Sequence, residues 1–209
     1  MHRVAAEALL ASAVALAAFV PVASHAQASV GQPAPAFTAS DSSGKTVSLA
    51  DFKGKHVVLE WTNPGCPYVV KHYDGGNMPA TIKSATDKGV VWLSVATTAK
   101  SHRDYLAPAE LSAWQKSKGA APTATLMDTD GKVGRAYSAR TTPHLYIVDP
   151  AGKLVYAGGI DSIPSSNPAD IAKATNYVNQ ALAESLAGKP ISQAVTRAYG
   201  CSVKYGDAG

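Results

Sequence analysis

Two largely apolar runs place the strongest constraint on how this chain can fold. They are His56–Trp61 (HVVLEW) and Gly89–Ala96 (GVVWLSVA), both rich in β-branched residues. Runs of this length without alternation suit strands buried on both faces. From Pro67 the pattern between them turns helical, and the pair Gly75–Gly76 must kink that helix or divide it in two. Strand, helix, strand at this spacing has the length of a βαβ crossover.

The flanking segments add to this unit. Upstream, Gly44 and Gly54 sit at turn positions around the alternating KTVSL, which predicts a short hairpin. Downstream, residues 97–106 read as a loop. A helix follows, with Pro108 in its first turn and Gly119 just past its end. Thr123–Asp128 fits a short strand. His144–Gly159 is the clearest hairpin, two apolar runs about Asp149-Pro150-Ala151-Gly152. One last helix is expected, with Asn167 as N-cap, Pro168 at its first position and Ile171, Tyr177, Val178, Leu182 and Leu186 at helical spacing. The pattern as a whole predicts a three-layer α/β domain with a mixed sheet. The domain is expected over residues 30–188, with an irregular tail over 189–209 that carries Cys201.

Residues 1–26 read as a secretory signal peptide: a basic start at His2 and Arg3, an apolar core from Ala8 to about Val22, and small residues before a cleavage point after Ala26 or Ala28. The apolar core falls short of the ~20 residues needed to span a bilayer, so no membrane association is expected after cleavage. The chain carries 19 basic and 15 acidic residues, a net charge of +4. These are scattered, with no basic run and no aromatic interleaving, which argues against a nucleic-acid partner. Nothing in the sequence indicates an oligomeric state.

An exported chain with two cysteines, Cys66 and Cys201, holds either one disulfide or a redox pair. Cys66 lies between Gly65 and Pro67, where a buried strand ends and a helix opens. A thiol there faces unpaired N–H groups and the positive end of the helix dipole, and both favour the nucleophilic thiolate. The surrounding residues belong to turn chemistry rather than core chemistry.

A strand ending in this turn, a helix opening with Cys66-Pro67, and Thr141-Thr142-Pro143-His144 before a final hairpin together resemble the thioredoxin superfamily. More narrowly, the chain resembles the exported peroxiredoxin-like redoxins, the alkyl hydroperoxide reductase/thiol-specific antioxidant and TlpA-type relatives, over about Val30 to Gly188. The resemblance implies a thioredoxin-like three-layer fold and a cis Pro143 lying against the active cysteine, with Thr142 before it. It also implies a proton-transfer role for Glu60, six residues before Cys66 in an otherwise apolar strand. Burial would raise the pKa of such a carboxyl and suit it to accept the thiol proton.

The sequence also departs from these patterns. Val69 stands where a dithiol motif has its second cysteine, so exchange through one local pair is excluded. The peroxiredoxin pattern has Thr or Ser three residues before the cysteine. Asn63 stands there, and Thr62, one residue further back, is the nearest candidate. Arg140 is the candidate for that pattern's arginine. Cys201 then has three readings: a resolving thiol for a product formed at Cys66, half of a permanent staple contributing roughly 5 kcal/mol in the chain-entropy model, or a thiol left for another protein.

The expected function is that of an exported, periplasmic thiol oxidoreductase. Its substrate is a peroxide or a disulfide, an external thiol is its reductant, and it needs neither cofactor nor metal. The alternatives are a thioredoxin-fold copper chaperone using Cys66 with His144, or a redox-inactive interaction module. His72 and Lys71, off the cysteine's face of the helix, are expected at the surface, and Trp61 in packing near the site. No zinc spacing, phosphate-binding loop or Gly-x-Ser-x-Gly elbow occurs.

Overall fold

A computed structural model of the protein describes residues 27–206, so the expected signal peptide lies outside the described residues. An N-terminal hairpin of β1 (Thr38–Ser40) and β2 (Thr46–Ser48) precedes β3 (Val57–Trp61), α1 (Pro67–Asp74) and α2 (Asn77–Thr86). After these come β4 (Val91–Ala96), α3 (Pro108–Ser117), β5 (Ala124–Met127), α4 (Lys132–Ala136) and β6 (Thr141–Thr142). The chain closes with β7 (His144–Val148), β8 (Leu154–Gly158), α5 (Tyr177–Leu186) and β9 (Cys201–Ser202). The central sheet has the order β5-β4-β3-β7-β8. β3, β4 and β5 are parallel, and β7 is antiparallel to both of its neighbours, β3 and β8. This is the mixed sheet with flanking helices and an N-terminal hairpin that the sequence pattern predicts, in the thioredoxin-like arrangement that the resemblance implies. Among the described residues no helix is long and apolar enough to cross a membrane.

Both apolar runs become strands buried at every position. Alternate residues of β3 serve two cores, as the period of two requires. Val58 packs with Cys66, Val69 and Tyr73 of α1, Met78 and Ile82 of α2, and Val178 and Leu182 of α5. Val57, Leu59 and Trp61 face the other way, toward Phe37, Leu126, Tyr137 and Tyr146. Trp61 therefore packs on the opposite side of the sheet from Cys66, with its indole N–H donated to Thr97 Oγ1 at 3.0 Å.

The Gly75–Gly76 pair divides the crossover. Gly76 takes φ 71° and starts α2, a left-handed conformation that costs glycine little. The single helix expected from Asn167 is also divided. Pro168–Lys173 is a 3₁₀ turn, Ala174 is extended (φ −87°, ψ 147°), and Asn176 caps a new start by accepting from Asn179 N–H at 2.9 Å. Both halves keep the periodic apolar positions, which is why the pattern alone read as continuous. The expectation that Lys71 and His72 lie at the surface is overturned: they are 1% and 0% exposed. Partners more than eighty residues away, described below, admit them to the interior.

After α5 the chain returns along the sheet edge. Ala157 N–H donates to Ala194 O at 3.0 Å, and Thr196 N–H donates to Ala157 O at 3.1 Å. The chain then crosses to pair β9 antiparallel with β6, setting Cys201 opposite Thr142 and Ser202 opposite Thr141. Val203 N–H donates to Arg140 O at 3.0 Å, and Ala99 N–H donates to Lys204 O at 2.8 Å. Gly200 adopts φ 131°, and a Cβ there would run into the Thr142 carbonyl. Such strain costs on the order of 1–3 kcal/mol. Gly200→Ala is therefore expected to loosen β9 while leaving the sheet folded. In the reduced protein, iodoacetamide should alkylate Cys66 about tenfold faster or more, read by mass spectrometry. An unchanged rate would mean that β9 does not cover the thiol.

Candidate active site

Cys66 is the N-cap of α1, held in an extended conformation (φ −93°, ψ 120°) with Pro67 in the first turn. The turn that delivers it is self-bonded. Asn63 Oδ1 accepts from Gly65 N–H at 2.8 Å, and Cys66 N–H donates to Asn63 O at 2.9 Å. The Cys66 carbonyl accepts the first helical bonds, from Val69 and Val70 N–H, both at 2.9 Å. Its thiol is 1% exposed and donates to the Thr142 carbonyl at 3.1 Å. The Thr142–Pro143 peptide is cis. Cys201, opposite Thr142 across the β6–β9 pair, is free, partly buried and packed against the core that holds Cys66. Burial first, then the hydrogen bond and charge of Cys66, push the Cys201 thiol up to about 11, against a smaller opposing pull from Lys204. At neutral pH Cys201 is thus an uncharged thiol.

Glu60 is fully buried on the Cys66 side of the sheet. Its Oε1 accepts from Tyr73 O–H at 2.8 Å, and its Oε2 from Trp92 Nε1–H at 2.8 Å and Ser94 O–H at 3.1 Å. All three donors favour the carboxylate, yet desolvation outweighs them and raises the pKa from 4.5 to about 7. Thr62 is buried beside this carboxyl. Its hydroxyl lies outside hydrogen-bond geometry and has no partner, as is also true of the Thr142 hydroxyl. The sheet and turn thus bring Glu60, Thr62, Cys66, Thr142, Pro143 and Cys201 into one neighbourhood.

Against this geometry, the model of the AhpC/TSA family matches residues 30–157. The chain belongs to the AhpC/TSA family. It is similar to the thiol-disulfide oxidoreductase ResA of Bacillus subtilis, 26% identical over 134 residues. That match spans 61% of this chain and 65% of the relative, just under two thirds of the latter's length. Among solved structures, an uncharacterized conserved protein of Geobacillus kaustophilus superposes with a TM-score of 0.71 at 26% identity, covering 87% of this chain and 94% of that one. A hypothetical protein of Sinorhizobium meliloti 1021 gives a TM-score of 0.73 at 21% identity, covering 88% and 98%, and attests the fold.

Within the AhpC/TSA frame, the positions that depart from the peroxiredoxin pattern are engaged elsewhere. Asn63, in place of Thr or Ser, donates its amide to Asp104 Oδ2 at 3.3 Å while its oxygen holds Gly65. Arg140 is exposed, and its charge bears on His144 and Tyr146. His144 Nδ1 accepts from Arg140 N–H at 3.4 Å and lies 3.2 Å from the Tyr146 hydroxyl, whose proton goes to the Tyr137 carbonyl at 2.8 Å, and burial lowers the His144 pKa to about 4. Among the described residues, no three His, Cys, Asp or Glu side chains are grouped to hold a metal.

Asp104 was missed by sequence reasoning. It sits so close to Gly65 that a Cβ there would strike its carboxyl, and its charge adds to the upward push on Cys201. In the sequence it is one charge in a polar loop, with no signal to mark it.

The Glu60 carboxyl makes stability depend on pH. Between pH 4.5 and about 7 the native protein keeps a proton that the unfolded chain has released, so stability falls as pH rises through that window. His72 and His144, both lowered to about 4 chiefly by burial, slope the other way below pH 6.5. The Glu60 contribution is therefore read as a difference between proteins. Glu60→Gln is expected to gain about 3 kcal/mol on wild type between pH 4.5 and pH 8, measured by urea unfolding. A difference that stays flat with pH would show that the carboxyl does not titrate in this window.

Proposed function

We propose that this chain is an exported thiol–disulfide oxidoreductase in which Cys66 attacks and Cys201 resolves. The observation that carries the reading is the β6–β9 pairing, which turns two cysteines far apart in sequence into facing thiols beside Pro143. Similarity to a protein named as a thiol-disulfide oxidoreductase supports the same chemistry. The signal-peptide pattern of residues 1–26 and the use of only two cysteines favour a periplasmic setting.

The Cys66 thiolate attacks one sulfur of a substrate disulfide, forming a mixed disulfide and expelling the other sulfur as a thiolate, which takes up a proton. Cys201, losing its proton, attacks the Cys66 sulfur. The second substrate thiolate leaves, and a Cys66–Cys201 disulfide remains. The substrate has gained two electrons and the cysteine pair has lost two. An external thiol reductant reverses the oxidation of the pair by the same exchange. Glu60, titrating near neutrality behind the pair, is the proposed proton acceptor, reaching the thiols through intervening groups on the side of Thr62. Pro143 and Thr142 shape the wall against which the attacked sulfur lies.

Disulfide exchange is preferred to peroxide reduction because Asn63, standing where a peroxide-holding hydroxyl would be, is bound to Asp104 and Gly65. With excess glutathione disulfide, wild type is expected to end as an intramolecular disulfide, having lost two hydrogen atoms by intact mass. Cys201→Ser should stop at a glutathione adduct on Cys66, and Cys66→Ser should reduce disulfides no faster than the uncatalysed reaction. An active Cys66→Ser variant would sink the assignment of the nucleophile. Hydrogen peroxide should react with Cys66 no faster than with a free thiol. A rate orders of magnitude above that would move the protein to the peroxidase branch.

A further inference from the structure

Lys71, His72, Asp161 and Tyr199 form a buried polar group that the exchange chemistry leaves unused. The Tyr199 hydroxyl donates to Asp161 Oδ1, which also accepts from Ile163 N–H at 3.1 Å. Lys71 Nζ lies 3.6 Å from Asp161 Oδ2, an oxygen with no hydrogen-bond partner of its own. His72 Nδ1 takes the Asn77 amide at 2.8 Å, which leaves Nε2–H to donate to the Tyr199 hydroxyl at 3.1 Å. Asn77 is oriented for this by the Asn176 amide, which donates to its oxygen at 3.3 Å. Tyr68 completes the contact, its ring edge-on to Tyr199 at 5.8 Å between centroids.

Tyr68, His72 and Lys71, whose Nζ lies 5.9 Å from the Tyr199 ring centroid, all belong to α1, the helix whose N-cap is Cys66, and Tyr199 stands two residues before Cys201. The helix that carries the nucleophile thus also carries the hook for the segment bearing the second thiol. Gly200 makes the turn between hook and thiol. We propose that Tyr199, held by Asp161 and His72 and charge-balanced through Lys71, is a positioning residue for the resolving step: it fixes Cys201 where a sulfur bonded to Cys66 will be attacked. The proposal rests on the reading of Cys201 as the resolving thiol.

The aromatic disulfide dithiobis(nitrobenzoate) tests both ideas in one trace. Cys66 attacks it, forming a mixed disulfide and releasing the first thionitrobenzoate. Cys201 then attacks the Cys66 sulfur, its proton passing by way of Glu60 to solvent, and the second thionitrobenzoate leaves as the Cys66–Cys201 disulfide forms. Tyr199→Phe keeps the ring and removes only the hydroxyl. In it the second phase is expected to slow by about tenfold or more, while the first is no slower than wild type. Loss of general stability, followed by thermal melting, would not slow one phase and spare the other. Asp161→Asn should do the same, and if it fails to fold, Tyr199→Phe decides alone. Wild type releasing two equivalents, with a Tyr199→Phe second phase within about twofold of it, would overturn the positioning role alone. Wild type releasing a single equivalent would remove the resolving role of Cys201 and this inference with it.

Discussion

Strand β3 is hydrogen-bonded to β4 on one side and β7 on the other, and it is covered on both faces. The rest of the structure depends on that burial. A strand enclosed this way cannot slip by a residue without turning its whole apolar set inside out. Its end is therefore fixed in space, and the turn that follows delivers Cys66 to a defined place. The same enclosure makes Glu60 expensive. It is accommodated because Tyr73, Trp92 and Ser94 all donate to it, and its raised pKa is what remains of the desolvation penalty.

The site is a composite of two distant parts of the chain. The thioredoxin-like core supplies a thiol, a cis proline and a buried carboxyl. The C-terminal segment supplies a second thiol, set opposite Thr142, whose carbonyl accepts from the Cys66 thiol. Main-chain pairing between β6 and β9 does the joining, and its alignment is enforced by the close approach of Gly200 to the Thr142 carbonyl.

Charge is placed inside this molecule where it ties elements together. Lys71 and Asp161 are both buried, and removing either would leave the other uncompensated, at a cost of about 3–5 kcal/mol. Replacing such a pair by apolar residues is often neutral for stability. Its value here is therefore argued from geometry: it joins α1, the segment after β8 and the tail at a single point. His72 stays uncharged at neutral pH because burial lowers its pKa, so it serves that junction as a hydrogen-bond donor rather than as a second cation.

Local sequence was enough to determine the strands of the central sheet, the crossover, the hairpins, an interruption of the helix at Gly75–Gly76 and the special setting of Cys66. These follow from periodicity, turn chemistry and helix-capping rules that act over a few residues. The resemblance to the redoxins pointed further, to Pro143, Thr142 and Glu60. Tertiary structure alone decided the break before Asn176, the burial of Lys71 and His72, the place of Asp104, and the seat of Cys201 opposite Thr142. Each of these rests on partners remote in the chain: Asp161 for Lys71, Tyr199 for His72, Asn63 for Asp104. A lysine on a helix reads as solvated until its counter-charge is known, and two isolated cysteines read as any pair until a strand register brings them together. Side-chain period is written along the chain, whereas electrostatic compensation and main-chain pairing between distant segments exist only once the chain has closed on itself.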